Sequence, residues 1–221
     1  PGLHALAWHR AATNPLWRTG PWFLAPANLG LLLDVLGEDG RTIIGPTVLD
    51  GAVVYAEITS EDDLPAGIGD EQSPGHYSLV SHGDRRVFDY TVGPLGHKRW
   101  TFPPIVALNV GRREGRAVSF EAAPIDPPKL AFFGVRACEL AALGIQDRVF
   151  LGGPYTDEDY RARRRNALVV AVNCTTSVST CFCTSMGTGP EVRGGYDLVL
   201  TELDEGFVLR AGTPEGADLI A

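Results

Sequence analysis

Two apolar runs decide the fold: LAFFGV at Leu130–Val135 and ALVVAV at Ala167–Val172. Neither run alternates polar with apolar residues, which is typical of strands buried on both faces of a parallel sheet. Between them, RACELAALGI at Arg136–Ile145 favours a helix, and a second, basic helix is predicted at Asp157–Arg165. The order strand, helix, strand predicts a right-handed βαβ unit.

The chain before this unit is expected to consist mainly of strands. A short helix is predicted at Leu29–Leu36, and strands are predicted at Arg41–Val48, Val53–Ile58, Val87–Val92 and Ala117–Ala122. A hairpin of Tyr196–Leu203 and Phe207–Arg210 is predicted after the unit. We therefore expect a mixed α/β (α+β) fold, with a β-rich first half followed by a half that contains the βαβ unit.

The length of 221 residues fits a single domain over residues 1–221. A chain of this size buries roughly 70% of its unfolded surface, so it can build a core of its own. The change of pattern near Asp126 leaves room for two lobes, a β-rich lobe at 37–125 and an α/β lobe at 126–221.

The charge and the hydropathy pattern exclude several classes of function. The chain has 19 Lys and Arg against 27 Asp and Glu, a net charge of −8, which argues against binding nucleic acid or an anionic membrane by charge. No run approaches the ~20 apolar residues of a membrane helix, so membrane insertion is not expected. Pro1–Leu36 lacks the order of a signal peptide, and we expect a cytoplasmic location, where disulfides are rare.

Four cysteines, Cys138, Cys174, Cys181 and Cys183, form the pattern C-x35-C-x6-C-x1-C. Cys138 follows the first buried strand and Cys174 follows the second. Because parallel strands place their carboxyl ends at the same edge of a sheet, we expect these two thiols to be neighbours. The loop that carries Cys181 and Cys183 can fold back over that edge.

Four thiolates in one place suit a [4Fe–4S] cluster, which takes one thiolate per iron. They also suit a zinc site of four cysteines, although zinc usually takes knuckles of closer spacing. Buried free thiols that pack as small apolar groups, and a thiol–disulfide switch between Cys181 and Cys183, are further interpretations. Arg136 can place positive charge beside an anionic cluster, and the loop around Gly187 can turn backbone N–H groups toward its sulfur atoms.

Other residues point less clearly to a function. Four arginines, Arg161, Arg163, Arg164 and Arg165, form either a solvated helix face or a surface that docks a partner. The five histidines show no metal-ligand spacing, and no hydrolase or nucleotide-binding motif is present. No catalytic residue is therefore assigned.

Several blocks of sequence, in order, carry a family resemblance. They are DEQSPGHY (Asp70–Tyr77), DYTVGP (Asp89–Pro94), HKRWTFPP (His97–Pro104), GVRACELAALGIQDRVFL (Gly134–Leu151), YRARRRNALVVAVNC (Tyr160–Cys174) and CFCTSMGTGP (Cys181–Pro190). Through them the chain resembles the iron–sulfur beta subunit of cytoplasmic NiFe hydrogenases of the sulfhydrogenase type. The same family includes the A subunit of anaerobic sulfite reductase. The chain has no C-x-x-C-x-x-C run, so the resemblance is to the amino-terminal part without the ferredoxin-like tail.

The resemblance implies a non-catalytic electron-transfer subunit of an oxidoreductase complex. It implies one [4Fe–4S] cluster held by Cys138, Cys174, Cys181 and Cys183, with Arg136 and Gly187 as further cluster contacts. The implied partners are the small and large hydrogenase subunits and a flavin subunit that handles NAD(P)H. Two alternatives remain: an electron-transfer subunit of anaerobic sulfite reductase, which would pass electrons to a sirohaem subunit, and a zinc-stabilised interaction module.

Overall fold

The computed structural model describes residues 9–10 and 20–220. Much of the amino-terminal stretch considered above, residues 1–8 and 11–19, lies outside the described residues, as does residue 221. Among the residues that are described, no helix is both long and apolar enough to cross a lipid bilayer.

One eight-stranded sheet forms the centre of the molecule. From one edge to the other, with strands numbered in chain order, it contains β1 (His9–Arg10), β2 (Trp22–Leu24), β12 (Gly206–Ala211), β11 (Leu198–Leu203), β10 (Ala167–Val172), β9 (Leu130–Val135), β3 (Thr42–Leu49) and β4 (Ala52–Glu57). The four central strands, β11, β10, β9 and β3, run parallel, and the strands outside them pair antiparallel. The mixed α/β fold is thereby confirmed.

Two hairpins stand apart from this sheet: β5 (Ile68–Ser73) with β6 (His76–Ser81), and β7 (Asn109–Glu114) with β8 (Ala117–Ala122). The helices of the described residues are α1 (Leu29–Glu38), α2 (Lys98–Thr101), α3 (Ala137–Leu151), α4 (Glu158–Arg165) and α5 (Pro214–Asp218). Short 3-10 turns lie at Pro26–Asn28 and Glu61–Asp63.

Both faces of the central strands are covered, which explains their continuous apolar sequence. On one face, Ala131 and Phe133 of β9 pack in a cluster with the buried leucines of α1. On the other face, Leu130 and Phe132 pack with Tyr55, and Leu140 of α3 lies against the same cluster. Because successive side chains of a strand point to opposite faces, burial on both sides requires apolar residues at every position.

The predicted βαβ unit is present. β9 and β10 occupy the predicted ranges, run parallel as neighbours, and are connected through α3 and α4. β8 also matches its predicted range, and the hairpin of β11 and β12 pairs as expected. The main sheet joins β3 to β9, and so links the two stretches assigned to separate lobes. The division at residues 125 and 126 stays a prediction.

The prediction of a strand at Val87–Val92 is wrong. The backbone of this segment hydrogen-bonds to side chains instead of to a neighbouring strand. The carboxylate of Glu202 accepts hydrogen bonds from the N–H groups of Val87 and Phe88 at 2.7 and 2.9 Å. The guanidinium of Arg136 donates to the carbonyls of Phe88 and Tyr90 at 2.7 and 2.8 Å. The backbone polar groups of this buried segment are therefore satisfied without a ladder.

Candidate functional site

The four cysteines lie around the carboxyl ends of β9 and β10. Cys138 is the second residue of α3, which begins two residues after β9 ends, and Cys174 follows β10 by two residues. Cys181 and Cys183 lie on the long loop between β10 and β11. All four are free thiols; Cys181 is exposed and the others are partly buried.

The long loop returns to the start of α3. A Cβ atom placed on Gly189 would lie 3.0 Å from the Sγ atom of Cys183 and 3.3 Å from the Cβ atom of Ala137. Gly189 thus lets Cys183 approach the helix turn that carries Cys138, and a larger residue would push the two apart. The N–H of Cys174 donates to the carbonyl of Pro190 at 3.3 Å, which brings the other end of the loop back beside β10.

The thiols lie close enough to affect one another's ionisation. Burial raises the pKa of Cys138 to about 12, and negative charge on Glu139, Cys174 and Cys183 contributes to that rise. Burial also raises the pKa of Cys174, while the charge of Arg136 and a hydrogen bond from it oppose that rise. With raised pKa values Cys138 and Cys174 are neutral thiols near pH 7, and a bound metal ion is the kind of cation that would favour their deprotonated form.

Arg136 is the one large cation buried beside these thiols among the described residues, with 1% of its surface exposed. Besides the two carbonyls already named, it donates to the carbonyl of Asn173, next to Cys174, at 3.4 Å. Its guanidinium lies over the ring of Tyr90, 4.7 Å from the ring centre. The side chain therefore joins the segment around Tyr90 to the end of β10, with its positive charge next to a cysteine.

A bulge at the end of β9 sets the direction in which the chain enters α3. The register between β9 and β10 shifts so that Val135 pairs with Ala171 and Gly134 has no partner in the ladder. Gly134 has φ of +81°, and a Cβ there would lie 3.1 Å from the ring of Phe88. Positive φ and the close ring both require glycine, and such bulges re-aim the residues that follow, here Arg136 and Cys138.

The loop that carries Cys181 is fastened to the hairpin of β5 and β6. The hydroxyl of Ser179 donates to the backbone carbonyl of Gln72 at 2.9 Å, and Thr180 donates to the Gln72 side-chain oxygen at 3.2 Å. The amide nitrogen of Gln72 is held in turn by Asp70, at 2.6 Å, and by Thr91, at 2.8 Å. The blocks DEQSPGHY and DYTVGP are therefore brought to the cysteine edge.

Asp89 and Thr176 form a second tie on the same loop, through a hydrogen bond from the threonine hydroxyl to the Asp89 carboxylate. Because Thr176 lies two residues after Cys174, this bond holds the first part of the loop, whereas Gln72 holds the part before Cys181. Neither role was predicted from the sequence. The only signal was the presence of Gln72 and Asp89 in blocks that resemble the hydrogenase family.

A buried polar group lies against the first turn of α3. The Glu139 carboxylate accepts from the backbone N–H of Arg136 at 3.0 Å and from the Tyr55 hydroxyl at 2.9 Å. His97, 3% exposed, lies with its Nδ1 atom 3.8 Å from Glu139 and packs on the ring of Phe132. The block HKRWTFPP thus reaches the residue next to Cys138, and Glu139 fixes the start of the helix.

Gly187, a predicted cluster contact, lies in a tight turn of the cysteine loop with φ of +67°. Its own N–H donates to the carbonyl of Thr184 at 3.1 Å, and the next N–H, of Thr188, donates to the carbonyl of Cys183 at 2.9 Å. These two N–H groups shape the loop, and the role of Gly187 toward a cluster stays a prediction.

Three of the four arginines on the basic helix α4 form ion pairs with neighbouring carboxylates. Arg161 pairs with Glu158 and Arg163 pairs with Asp159, at 3.0 and 2.7 Å. Arg164 pairs with Asp147 of α3 at 3.2 Å. This arrangement favours the interpretation of α4 as a solvated face that packs on α3.

Within residues 9–10 and 20–220, no three side chains of His, Cys, Asp or Glu are grouped closely enough to hold a metal ion. The four thiols thus lie around one edge of the sheet without converging on a single point: Cys138 is held by α3, Cys174 by the end of β10, and Cys181 and Cys183 by the long loop. The arrangement places the four thiols around one sheet edge, with the buried guanidinium of Arg136 beside Cys174 and the His97–Glu139 pair beside Cys138.

Comparison with known proteins points to one protein class. The chain is 36% identical over 145 residues to Sulfhydrogenase 2 subunit beta of Pyrococcus furiosus. The matched segment is 65% of this chain and 41% of that relative, so the chain spans less than half of the relative's length. No protein-family model matches the chain, and no solved structure matches it. The resemblance indicated by the sequence blocks is thus confirmed: the chain is similar to a sulfhydrogenase beta subunit.

Proposed function

We propose that this chain is an electron-transfer subunit of a hydrogenase complex and that Cys138, Cys174, Cys181 and Cys183 hold a [4Fe–4S] cluster. One observation carries the proposal: all four cysteines of the chain lie around a single sheet edge. The type and number of donors fit the group, because a cubane takes four thiolates and no cysteine is left over. Binding the cluster would require the four thiols to draw closer together than they lie among the described residues.

The residues around the thiols suit an anionic centre. When bound, the cluster would supply one-electron transfer, and no bond-making residue is required of the protein. Arg136 would offset negative charge from a buried position, which favours the reduced form and raises the reduction potential. Gln72 and Asp89 would hold the loop so that Cys181 and Cys174 keep their places.

The proposed partners follow from the relative. That relative is a subunit of a sulfhydrogenase, which supports hydrogenase subunits as partners. The small and large subunits and a flavin subunit for NAD(P)H are the partners that the family resemblance implies. Because the chain covers 41% of the relative, the path of electrons through the whole complex is part of the proposal. A sulfite reductase complex would place a sirohaem subunit in the same role.

Metal analysis under anaerobic conditions tests the cluster. We expect brown protein with about four iron atoms and four sulfides per chain, and an EPR signal after reduction with dithionite. Cys174→Ser should lower the iron content and change the signal, whereas the neighbouring exposed control Thr175→Ser should leave both unchanged. One zinc atom without sulfide would establish the zinc module instead, and protein with neither metal would overturn the proposal.

The partner assignment needs a separate experiment. Affinity purification of the tagged protein from its own cells should recover a nickel-containing large subunit together with a flavin protein. Recovery of a sirohaem protein would replace the hydrogenase assignment by the sulfite reductase one. The metal analysis is made on the isolated chain, so its outcome does not depend on which partner is found.

A further inference from the structure

The hairpin of β7 and β8 forms an arm on the surface of the molecule. Every residue of both strands is exposed. Large apolar side chains are among them and at the base of the arm: Ile105 is 89% exposed, Leu108 is 76% exposed and Phe120 is 75% exposed. Several exposed large apolar side chains in one short segment are typical of a site of protein association.

The two faces of the arm differ in apolar content: Val118, Phe120 and Ala122 lie on one face, and Val110 and Ala117 lie on the other. In the register of the two strands, Gly111 lies opposite Phe120 and Arg113 lies opposite Val118, so these four residues share one face. The ring of Phe120 lies over Gly111, where a Cβ would be 3.2 Å from it. The other face carries polar residues, including an Arg112–Glu121 ion pair at 4.0 Å. A strand pair with this pattern is built to bury one face.

A two-stranded hairpin without cover is marginally stable in water. Its two outer edges also leave backbone N–H and C=O groups unpaired by strands, which invites association. The apolar face of the arm therefore requires an occupant, and the charge of the chain indicates which one.

Positive charge on the arm contrasts with the rest of the chain. Residues 105–125 contain three arginines, at positions 112, 113 and 116, against two glutamates, so the arm carries +1 and the other residues carry −9. The arm of one copy is thus attracted to the body of another.

The described residues contain a cleft whose lining complements the arm in chemistry. It has a volume of about 920 Å³, with apolar lining from Leu29, Val87 and Phe207. Six carboxylates and two arginines also line it, so its net charge is −4. Asp62 and Asp84 are exposed carboxylates of this lining. Apolar surface bordered by carboxylates is the complement of an apolar strand face with arginines near its tip.

We propose that two copies of this chain associate by placing the arm of each copy, with its Phe120 face inward, in the acidic cleft of the other. The exchange is reciprocal, so each copy supplies one arm and one cleft and the assembly closes as a dimer. The test is independent of the cluster, because none of the residues substituted in the arm or the cleft is a cysteine.

Sedimentation and light scattering of the isolated chain test the dimer. Between about 5 and 200 µM the wild-type chain should shift from monomer to dimer, and the shift should weaken as salt is raised. Phe120→Ser should weaken dimerisation by roughly 10-fold or more, since a buried aromatic anchor is lost. The control Tyr155→Ser alters an aromatic side chain that is 91% exposed outside the arm and should have no effect. A wild-type chain that stays monomeric, or a dimer insensitive to Phe120→Ser, would overturn the proposal.

Charge reversal tests the cleft. Arg113→Glu with Arg116→Glu reverses the charge of the Phe120 face and the turn of the arm, and Asp62→Arg with Asp84→Arg reverses the cleft, so each double variant alone should be monomeric. A mixture of the two should dimerise, because the reversed arm and the reversed cleft again join opposite charges. The control Glu215→Arg with Asp218→Arg reverses two carboxylates outside the cleft and should not rescue the arm variant. A mixture that remains monomeric would refute the assignment of the cleft.

Discussion

At the scale of single residues, Arg136 does two things at once: it places charge beside Cys174 and satisfies three backbone carbonyls. Arg136→Met would leave those carbonyls buried without a donor. We expect a loss of about 3 kcal/mol in the free energy of unfolding, measured with urea. Arg165→Met, at an exposed position, should change it by less than about 0.5 kcal/mol. Equal effects of the two variants would contradict the structural role of Arg136.

Glu202 gives a prediction about pH. Burial raises the pKa of this carboxyl above its ordinary value, against the opposing effect of the N–H groups of Val87 and Phe88. The folded state therefore binds the proton more tightly than the unfolded chain does. The contribution of Glu202 to the free energy of unfolding is therefore fully present below the ordinary pKa of a glutamate. That contribution is lost as the pH rises through the pKa of Glu202 in the folded state.

Glu202→Gln removes that dependence, because glutamine does not titrate. We expect the variant to gain stability relative to the wild type between about pH 4 and pH 7. Urea unfolding of both proteins across this range measures the difference, and other carboxyl groups cancel because both proteins contain them. A difference that stays constant with pH, or changes in the opposite direction, would show that burial does not dominate at Glu202.

At the scale of elements, the loop from β10 to β11 depends on contacts with distant parts of the chain. Gln72→Ala removes the side-chain bonds to Asp70, Thr91 and Thr180. Amide hydrogen exchange in residues 174–186 should become about 3- to 10-fold faster, while β9 and β10 keep their protection. Ser119→Ala, in the exposed arm, is the control. Unchanged exchange in the loop would mean that the Asp89–Thr176 bond and the bond from Ser179 to the backbone carbonyl of residue 72 hold it without the Gln72 side chain.

The same contacts mark the limit of what the sequence can predict. β8, β9 and β10 were predictable because local apolar patterns determine them, and the cysteine edge followed from the parallel pairing of β9 and β10. The hydrogen bond between Thr180 and Gln72 joins residues 108 positions apart, and no local pattern encodes it. The polar strand β5 was missed because Gly, Asp, Glu, Gln and Ser follow its first isoleucine.

At the scale of the whole molecule, the main sheet ties the first and second halves of the chain together, whereas the arm stands outside this unit. Leu108 and Ala123 flank the arm, and the N–H of Ala123 donates to the carbonyl of Leu108 at 2.9 Å. The two ends of the arm are thus already adjacent. A short turn can replace the residues between them without moving the body.

Replacing Asn109–Ala122 by a two-residue Asn-Gly turn should therefore leave the fold intact. We expect a free energy of unfolding within about 1 kcal/mol of that of the Phe120→Ser chain, the reference in which dimerisation is already weakened. Urea unfolding followed by far-ultraviolet circular dichroism measures this free energy. The dependence of the free energy of unfolding on urea concentration should fall slightly, because the shorter chain exposes less surface on unfolding. A loss of several kcal/mol would show instead that the arm packs against its own body, and would place the cover of Phe120 within one chain.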